Sequence, residues 1–487
     1  MRAQDRPAGL AMPRLRLTFG QLWSWLAVAL PVLGAVIAPM STVDLAYNVR
    51  AGQLMLETRR LLETDPFTFS AAGQPWLDQQ WGAQILLALG FGVVGWAGLA
   101  VIRALLVGLI FWMVQRSCRA LGADRRTAAW LTLASFAVSL VALGLRPQLL
   151  GMVLFAAVSL LIIERDRSPR RLWLVPVLVA IWANLHGSFV FGPALVGVAW
   201  FQDVVARRPS SRRTGVVLIA SLVASWLTPF GPGVWLYVAT LSTNPSVRGL
   251  ITEWQATSPL TFPGALFYVS GIAVAVTMGI SLRRARRASP AMLLGIAWAV
   301  VLFVLAAWTQ RAVAWWALGA PLVLAPLLPV RDGRERQPSV ANGVIAAGLA
   351  ALIVILLPIW RPADPMIGPT GLLTDAPAGI TRAVQPIAGP DARLFNAQRW
   401  GSWLEFAVPE ANFFVDSRVE AIPAAVWADE AAISGGSRDW GEILDRWRVT
   451  AVVASNADQA ALMPLIRADV RWREAYRDGD GAIFVRR

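Results

Sequence analysis

Apolar and polar positions fall in long blocks along this chain. The first, LWSWLAVALPVLGAVIAPM (22–40), runs 19 residues without a charge, long enough to cross a hydrocarbon core of roughly 30 Å as a helix. Comparable blocks fall near 96–114, 127–145, 147–163, 172–185, 188–205, 214–230, 264–282, 290–307, 311–328 and 340–360. About eleven membrane spans are therefore expected across residues 22–360, after an N-terminal segment 1–21. The first block exceeds a typical signal-peptide core, and no small-residue cleavage site follows it cleanly, so it is expected to stay as a span.

The polar stretches predict two further parts. A loop over 41–95 is far longer than ordinary connections in a bundle. Within it, AGQLMLETRRLLET (51–64) has the spacing of an amphipathic helix. DPFTFSAAGQPW (65–76) reads as turn and extended chain. WLDQQWGAQILLALGF then predicts a second helix with Trp76 and Trp81 in the headgroup layer. Residues 361–390, rich in Pro, Gly and Ala, read as a linker. Over 391–487, ARLFNA, NFFVDS, TAVVAS and AIFVRR read as buried strands, alternating with helices near 398–407, 420–433, 438–448 and 456–467. The expected fold is a polytopic α-helical membrane protein with a C-terminal extracytoplasmic α/β domain.

Composition agrees: 56% of residues are hydrophobic and 15% charged, which excludes a soluble protein. All 44 basic residues are arginine, and they alternate between the two sets of loops. With the N-terminus cytoplasmic, cytoplasmic segments hold 23 arginines and the opposite loops of the bundle hold six (Arg50, Arg59, Arg60, Arg146, Arg248, Arg311). The positive-inside rule sets that orientation, and an odd number of spans sends the C-terminus outside, as in a bacterial plasma-membrane protein. Residues 1–360 carry 30 arginines against 13 acids, and 361–487 carry 14 against 17. The +14 formal charge is thus a topological signal suited to anionic membrane lipids, and nucleic acid is not an expected partner. The single cysteine, Cys118, allows no disulfide, and no phosphate-binding glycine loop, HExxH or CxxC occurs.

Charge at the outer ends of the spans marks the candidate chemistry. DLAYNVRAG (44–52) puts Asp44, Asn48 and Arg50 directly after the first span. Asp44 reads either as a helix cap or as a base. If the loop folds back, Asp44 and Asp65 are candidates to converge as base and partner, or to bind a divalent cation through oxygen. WANLHGSFVFG (182–192) holds Asn184, the only histidine, His186, and Ser188, a polar group costly at membrane depth unless paired or facing an aqueous cavity. Arg146 and Arg311 occupy short outer turns and Arg103 lies within a span; they read as snorkelling groups or as a grip for the phosphate of a lipid-linked substrate. Glu253 and Trp254, in the outer segment 228–262, suit a carbohydrate face.

These motifs, in order, resemble the GT-C glycosyltransferase superfamily, whose members include protein mannosyltransferases, aminoarabinose transferases and oligosaccharyltransferases. DLAYNVRAGQLMLETRRLLETDPFTFSAAGQPWLDQQWGAQ, LRPQLLG, WANLHGSFVFG, ITEW and LFNAQRWGSWLEFAVPEANFFVDSR carry the likeness across nearly the whole chain. The resemblance implies a polyprenyl-phosphate sugar entering from the bilayer, and a cell-envelope glycan, lipid or protein as acceptor. It implies an acid at the head of the first outer loop, matched by Asp44, and a second acid, matched by Asp65. Asn184, His186 and Glu253 match polar groups that face the cavity. Where relatives often read D-x-W-W-H, Ala46, Tyr47 and Asn48 follow Asp44 and Leu45, and Gln79-Gln80-Trp81 stands for their His-Glu-Trp. Amides in those places leave Asp44 as the main candidate base, and the chemistry requires no cofactor. Two other classes share the pattern: a lipid or sugar transporter or flippase, and a non-catalytic envelope scaffold.

Overall fold

The computed structural model describes residues 16–285, 289–328 and 337–487. The N-terminal segment to residue 15, with Arg286, Arg287, Arg331, Arg334 and Arg336 of the arginine-rich loops, lies outside the described residues. Helix α1 (Phe19–Ile37) opens with a capping box, in which the Thr18 hydroxyl accepts from the Gln21 amide and the Gln21 side chain accepts from the Thr18 amide. Arg103 closes its other end, donating to the carbonyls of Ala35 (2.6 Å), Pro39 (2.8 Å) and Ala38. The intramembrane arginine thus satisfies the last carbonyls of a helix rather than a substrate phosphate or a headgroup.

Helix α2 spans Thr42–Thr58 and α3 spans Trp81–Ala120, with a kink at Gly95 where φ is 59°. The bundle continues as α4 (Arg125–Ser139), α5 (Pro147–Ile163), α6 (Leu174–Ala183), α7 (Phe191–Val205) and α8 (Ser211–Ala224). Two outer helices follow, α9 (Gly233–Thr243) and α10 (Pro245–Leu250). Helices α11 (Phe262–Arg284), α12 (Pro290–Trp308), α13 (Val313–Leu324) and α14 (Val340–Ile355) complete it. A helix stands at each of the eleven apolar blocks. Four helical stretches among the described residues are long and apolar enough to cross a membrane outright.

The first loop departs from its expected form. Its helix begins at Thr42, not near residue 51, because Ser41 caps it and places Asp44 in the first turn. Residues 76–80 are not helical, and Trp76 is buried against Arg418 instead of lying in a headgroup layer. Strand β1 (Met40–Ser41) pairs in parallel with β4 (Leu373–Thr374), so the 361–390 segment is tied to the loop and not free of it. That segment also holds the hairpin of β2 (Ala363–Asp364) and β3 (Gly368–Pro369), and α15 (Ala378–Val384).

The C-terminal part is a five-stranded mixed sheet, order β6-β5-β7-β9-β8. Its strands are β5 (Arg393–Asn396), β6 (Asn412–Phe413), β7 (Ala451–Ser455), β8 (Trp472–Arg477) and β9 (Gly481–Arg486). Helices α16 (Gln398–Ala407), α17 (Ala424–Ser434), α18 (Trp440–Arg446) and α19 (Leu462–Ala468) cover it. β8 was not expected: in WREAYR only Trp472 is buried, and Arg473, Ala475 and Arg477 are exposed. The apolar core is continuous from the bundle into this domain, with Trp96 of α3 packing on Trp403 and Phe406 of α16 at ring distances of 6.2 and 5.1 Å.

Candidate active-site cleft

Where α2, α5, the 245–254 segment and the C-terminal domain meet, a narrow cleft opens, about 510 Å³ counting the open space at its mouth. Thr42 fixes the start of α2 by donating its hydroxyl to the carbonyls of Thr374 and Asp375, both at 3.0 Å. Asp44 therefore sits at a braced helix N-terminus, where a carboxylate is favoured by the helix dipole. Arg146 precedes α5 as its N-cap, with Pro147 setting the first helical position. Its Nη1 lies 3.2 Å from Asp44 Oδ2 and its Nη2 lies 2.7 Å from Glu253 Oε1. Arg311 Nη1 is 4.0 Å from the other Glu253 oxygen, and its guanidinium lies 5.2 Å from the Trp254 ring centre. Four residues distant in sequence thus form one run of alternating charge.

The run is half open. The Arg146 side chain is 16% exposed and that of Asp44 40%. Burial pushes the Glu253 carboxyl up, but the guanidinia of Arg146 and then Arg311 outweigh it and hold it below the ordinary carboxylate range. Arg146 loses by burial and gains more from Glu253 and Asp44, so it is held charged more firmly than an ordinary arginine. Arg146 has two carboxylates against its one charge, while Arg311 has only a long contact to one. Arg311 is therefore the guanidinium with charge to spare for an incoming anion.

Two amides line the same cleft. Asn48 donates Nδ2 to the Asp44 carbonyl (2.6 Å) and Gln148 donates Nε2 to the Arg311 carbonyl (3.3 Å). Each amide is thereby oriented, and each oxygen is buried without a partner among the described residues. Sequence reasoning singled out Asn48 and missed Gln148, whose LRPQLLG context reads as a helix start and carries no other signal.

The C-terminal domain adds Ser417 and Glu420 to the cleft wall. Burial pushes the Glu420 carboxyl up; its own backbone amide and Arg418 oppose this only in part, and Asp416 adds to it. Among the described residues Glu420 has no ion pair, which makes it the second carboxyl facing the cleft. It too was missed, because DSRVE in a loop after a strand looks like a solvated turn. Behind the cleft, burial raises Asp78 to about 7, and Gln84 donates to one of its oxygens at 2.9 Å.

Other expected site residues lie elsewhere. Asp65 is wholly buried, accepting from Arg418 Nη2 (2.6 Å) and from the amides of Phe67 (3.2 Å) and Thr68 (3.1 Å). It does not line the cleft with Asp44, so the two do not converge as base and partner or as a shared cation site. Arg50 pairs along its own helix with Glu57 at 3.3 Å. Asn184 accepts from Trp81 Nε1 (3.0 Å) and donates to the carbonyls of Ala180 and Leu227, both at 2.8 Å. Its polar atoms are consumed in holding the start of α3 against the α6 turn. His186 Nδ1 accepts from the Ser188 amide (3.1 Å) and lies 2.7 Å from the Ser188 hydroxyl, which itself accepts from Trp182 Nε1 (3.0 Å). The histidine is a turn residue packed on Trp315, outside the cleft lining. Among the described residues no group of three or more His, Cys, Asp or Glu side chains is placed to hold a metal ion.

No family model matches the chain, and no curated protein does. Solved structures do. The apo crystal structure of the Archaeoglobus fulgidus oligosaccharyltransferase aligns over 90% of this chain and 70% of its own, with 12% identity and a TM-score of 0.56. The cryo-EM structure of the arabinofuranosyltransferase AftD from Mycobacteria aligns over 96% of this chain with 18% identity and a TM-score of 0.57. This chain spans 42% of AftD's length. Apo ArnT from Cupriavidus metallidurans aligns over 94% of this chain and 96% of its own at 14% identity, with a TM-score of 0.43, too low to place a fold. The chain shares its fold with the oligosaccharyltransferase and the arabinofuranosyltransferase.

Proposed function

We propose that this protein is a membrane glycosyltransferase that moves a sugar from a polyprenyl-phosphate donor to a cell-envelope glycan, lipid or protein at the outer face of a bacterial plasma membrane. The observation that carries this reading is the run Asp44–Arg146–Glu253–Arg311 at the mouth of the cleft. It sets a carboxylate that can accept a proton beside guanidinia that can meet a phosphate. The acceptor hydroxyl loses its proton to Asp44 as its oxygen bonds to the sugar C1. The bond from C1 to the phosphate oxygen breaks, and polyprenyl phosphate leaves with the electron pair, its growing charge met by Arg311. Arg146, held between Asp44 and Glu253, positions the base. A phosphate leaving group needs no acid, and the step uses no cofactor. The GT-C-like fold supports a transferase in kind.

The test is transfer from a polyprenyl-phosphate sugar by protein in liposomes, with glycan and lipid products read by mass spectrometry. Asp44→Asn is expected to lower kcat by at least roughly 100-fold, the usual scale of a lost general base, and Arg311→Ala to raise the donor KM as well. A folded Asp44→Asn protein with full activity overturns the reading. Lipid movement between leaflets without any change in glycan points to the flippase class instead.

A further inference from the structure

The bundle contains a second, larger cavity, of about 1520 Å³ including its open mouth, at the end remote from the cleft. Helices α5, α7, α12 and α13 wall it, chiefly with Phe155, Leu195, Trp298 and Val323. The cleft lies at the Arg146 end of α5 and this cavity at the Ile162 end. The 17 residues of that helix put its Ile163 end, at the cavity rim, about 25 Å from Pro147, while the cavity wall reaches back along it to Phe155. Two glycines, Gly295 and Gly319, line the cavity; at Gly319 an added Cβ would stand 2.4 Å from Leu302 Cδ1. At Gly295 an added Cβ would meet only Val323, at 3.7 Å, so the space beside it is open.

Its walls are chiefly apolar and open to the surroundings at the mouth, and apolar surface of this kind is stabilised by apolar cover. Within a bilayer the material at hand is hydrocarbon. The mouth says which hydrocarbon. Arg165 and Arg208 stand at the rim with Asp166. Arg165 is already spent on a buried, two-pronged pair with Asp203, at 2.8 and 3.3 Å. Arg208 is half-exposed; its pair with Asp166 at 2.9 Å is a surface contact worth little, and its longer pair, 3.6 Å to the buried Asp203, leaves its outer face open to another anion. The rim segments 164–171 and 203–213 together hold eight arginines against three acids. Deeper in, Ser159 borders the cavity with its hydroxyl buried and without a partner among the described residues. That donor lies six residues, about 9 Å along the helix, from Arg165.

We propose that this cavity is a built-in site for one anionic glycerophospholipid. An acyl chain lies between α5, α7 and α12, an ester carbonyl reaches the depth of Ser159, and the phosphate sits at Arg208. The donor of the transfer reaction is not the occupant, because a phosphate at this rim is a helix length from Asp44 and Arg311. The site is independent of the reading of the outer cleft.

The experiment is native mass spectrometry of the full chain in nanodiscs of phosphatidylcholine with phosphatidylglycerol, followed by release into mild detergent. Wild type is expected to keep one phosphatidylglycerol, with a roughly fivefold preference over phosphatidylcholine. Gly295→Phe, which fills the cavity, and Arg208→Ala, which strips the rim, are each expected to lose that retained lipid. Asp44→Asn is expected to keep it. Normal retention in folded Gly295→Phe overturns the proposal, as does equal retention of the two lipids, no retained lipid in wild type, or a retained polyprenyl phosphate. Should Gly295→Phe fail to fold, Arg208→Ala with unchanged occupancy overturns it alone.

Discussion

Arg418 donates its Nη2 to Asp65 Oδ1 at 2.6 Å across 353 residues of sequence, and both side chains are wholly buried. The same guanidinium pairs with Asp416 and lies 4.6 Å from the Trp76 ring centre and 4.7 Å from that of Phe67. One arginine therefore clamps the loop after α1 to the C-terminal domain, two residues before Glu420 enters the cleft wall. Beside it, burial and then Asp416 push the Glu405 carboxyl well above the carboxylate range.

Removing one member of a buried ion pair leaves the other charge stranded, which costs about 3–5 kcal/mol, whereas replacing the whole pair costs much less. Arg418→Met is expected to destabilise by that amount in thermal unfolding in detergent. Combining it with Asp65→Asn and Asp416→Asn should restore much of the loss. A single variant within 1 kcal/mol of wild type would show the clamp to be dispensable.

That clamp marks what the sequence could and could not disclose. The helices of the bundle were legible because each long apolar block is a helix in the structure. Asp44 read equally as a helix cap or a base; in the structure Ser41 is the cap and Asp44 lines the cleft. Asp65 was misplaced: an acid before Pro66 looks the same whether it faces water or a guanidinium 353 residues away. Arg103 looked like a phosphate ligand because nothing local says that it reaches back to the end of α1. Gln148 and Glu420 gained their positions only from tertiary packing, which brings α5 and the 414–423 loop to the same opening. The expected Asn184–His186–Ser188 cluster divides: His186 and Ser188 bond to each other, and Asn184 bonds to Trp81 and to the carbonyls of Ala180 and Leu227.

Asp78 makes stability depend on pH. Its folded-state value, raised by burial to about 7, lies above the ordinary 3.8. Folding therefore favours the protonated carboxyl, and the stability it contributes is full below about pH 4 and is lost as pH rises through 7. The loss is on the order of 4 kcal/mol. Asp78→Asn, neutral at every pH, is expected to gain on wild type between pH 5 and pH 8.5 in parallel thermal scans. An unchanged gap between the two proteins across that range contradicts it.

Glu420 is expected to tune donor binding. Because burial raises it, it stays neutral to higher pH than an ordinary carboxyl and then adds a negative charge to a cleft that must receive a phosphate. If the transferase reading holds, the donor KM of wild type climbs as pH rises through that value, and Glu420→Gln stays flat. Superimposable KM profiles would remove Glu420 from the site.

The position of Asp44 depends on a single close approach. Helix α2 lies so near α3 that a Cβ on Gly52 would stand 2.1 Å from the Gln84 carbonyl oxygen and 2.7 Å from the Ala88 Cβ. The first of these is backbone and has no rotamer through which to yield, so α2 itself must shift. Overpacking of this kind costs about 1–3 kcal/mol. It would also carry the start of the helix away from Arg146, whose contact to Asp44 is already 3.2 Å. Gly52→Ala is thus expected to lower both thermal stability and turnover, although the residue touches nothing in the cleft. Gly73→Ala, in the same loop at a turn with open space around it, carries only backbone strain from its positive φ and is expected to leave turnover near wild type. Equal effects of the two substitutions on activity would mean that α2 is not what aims Asp44.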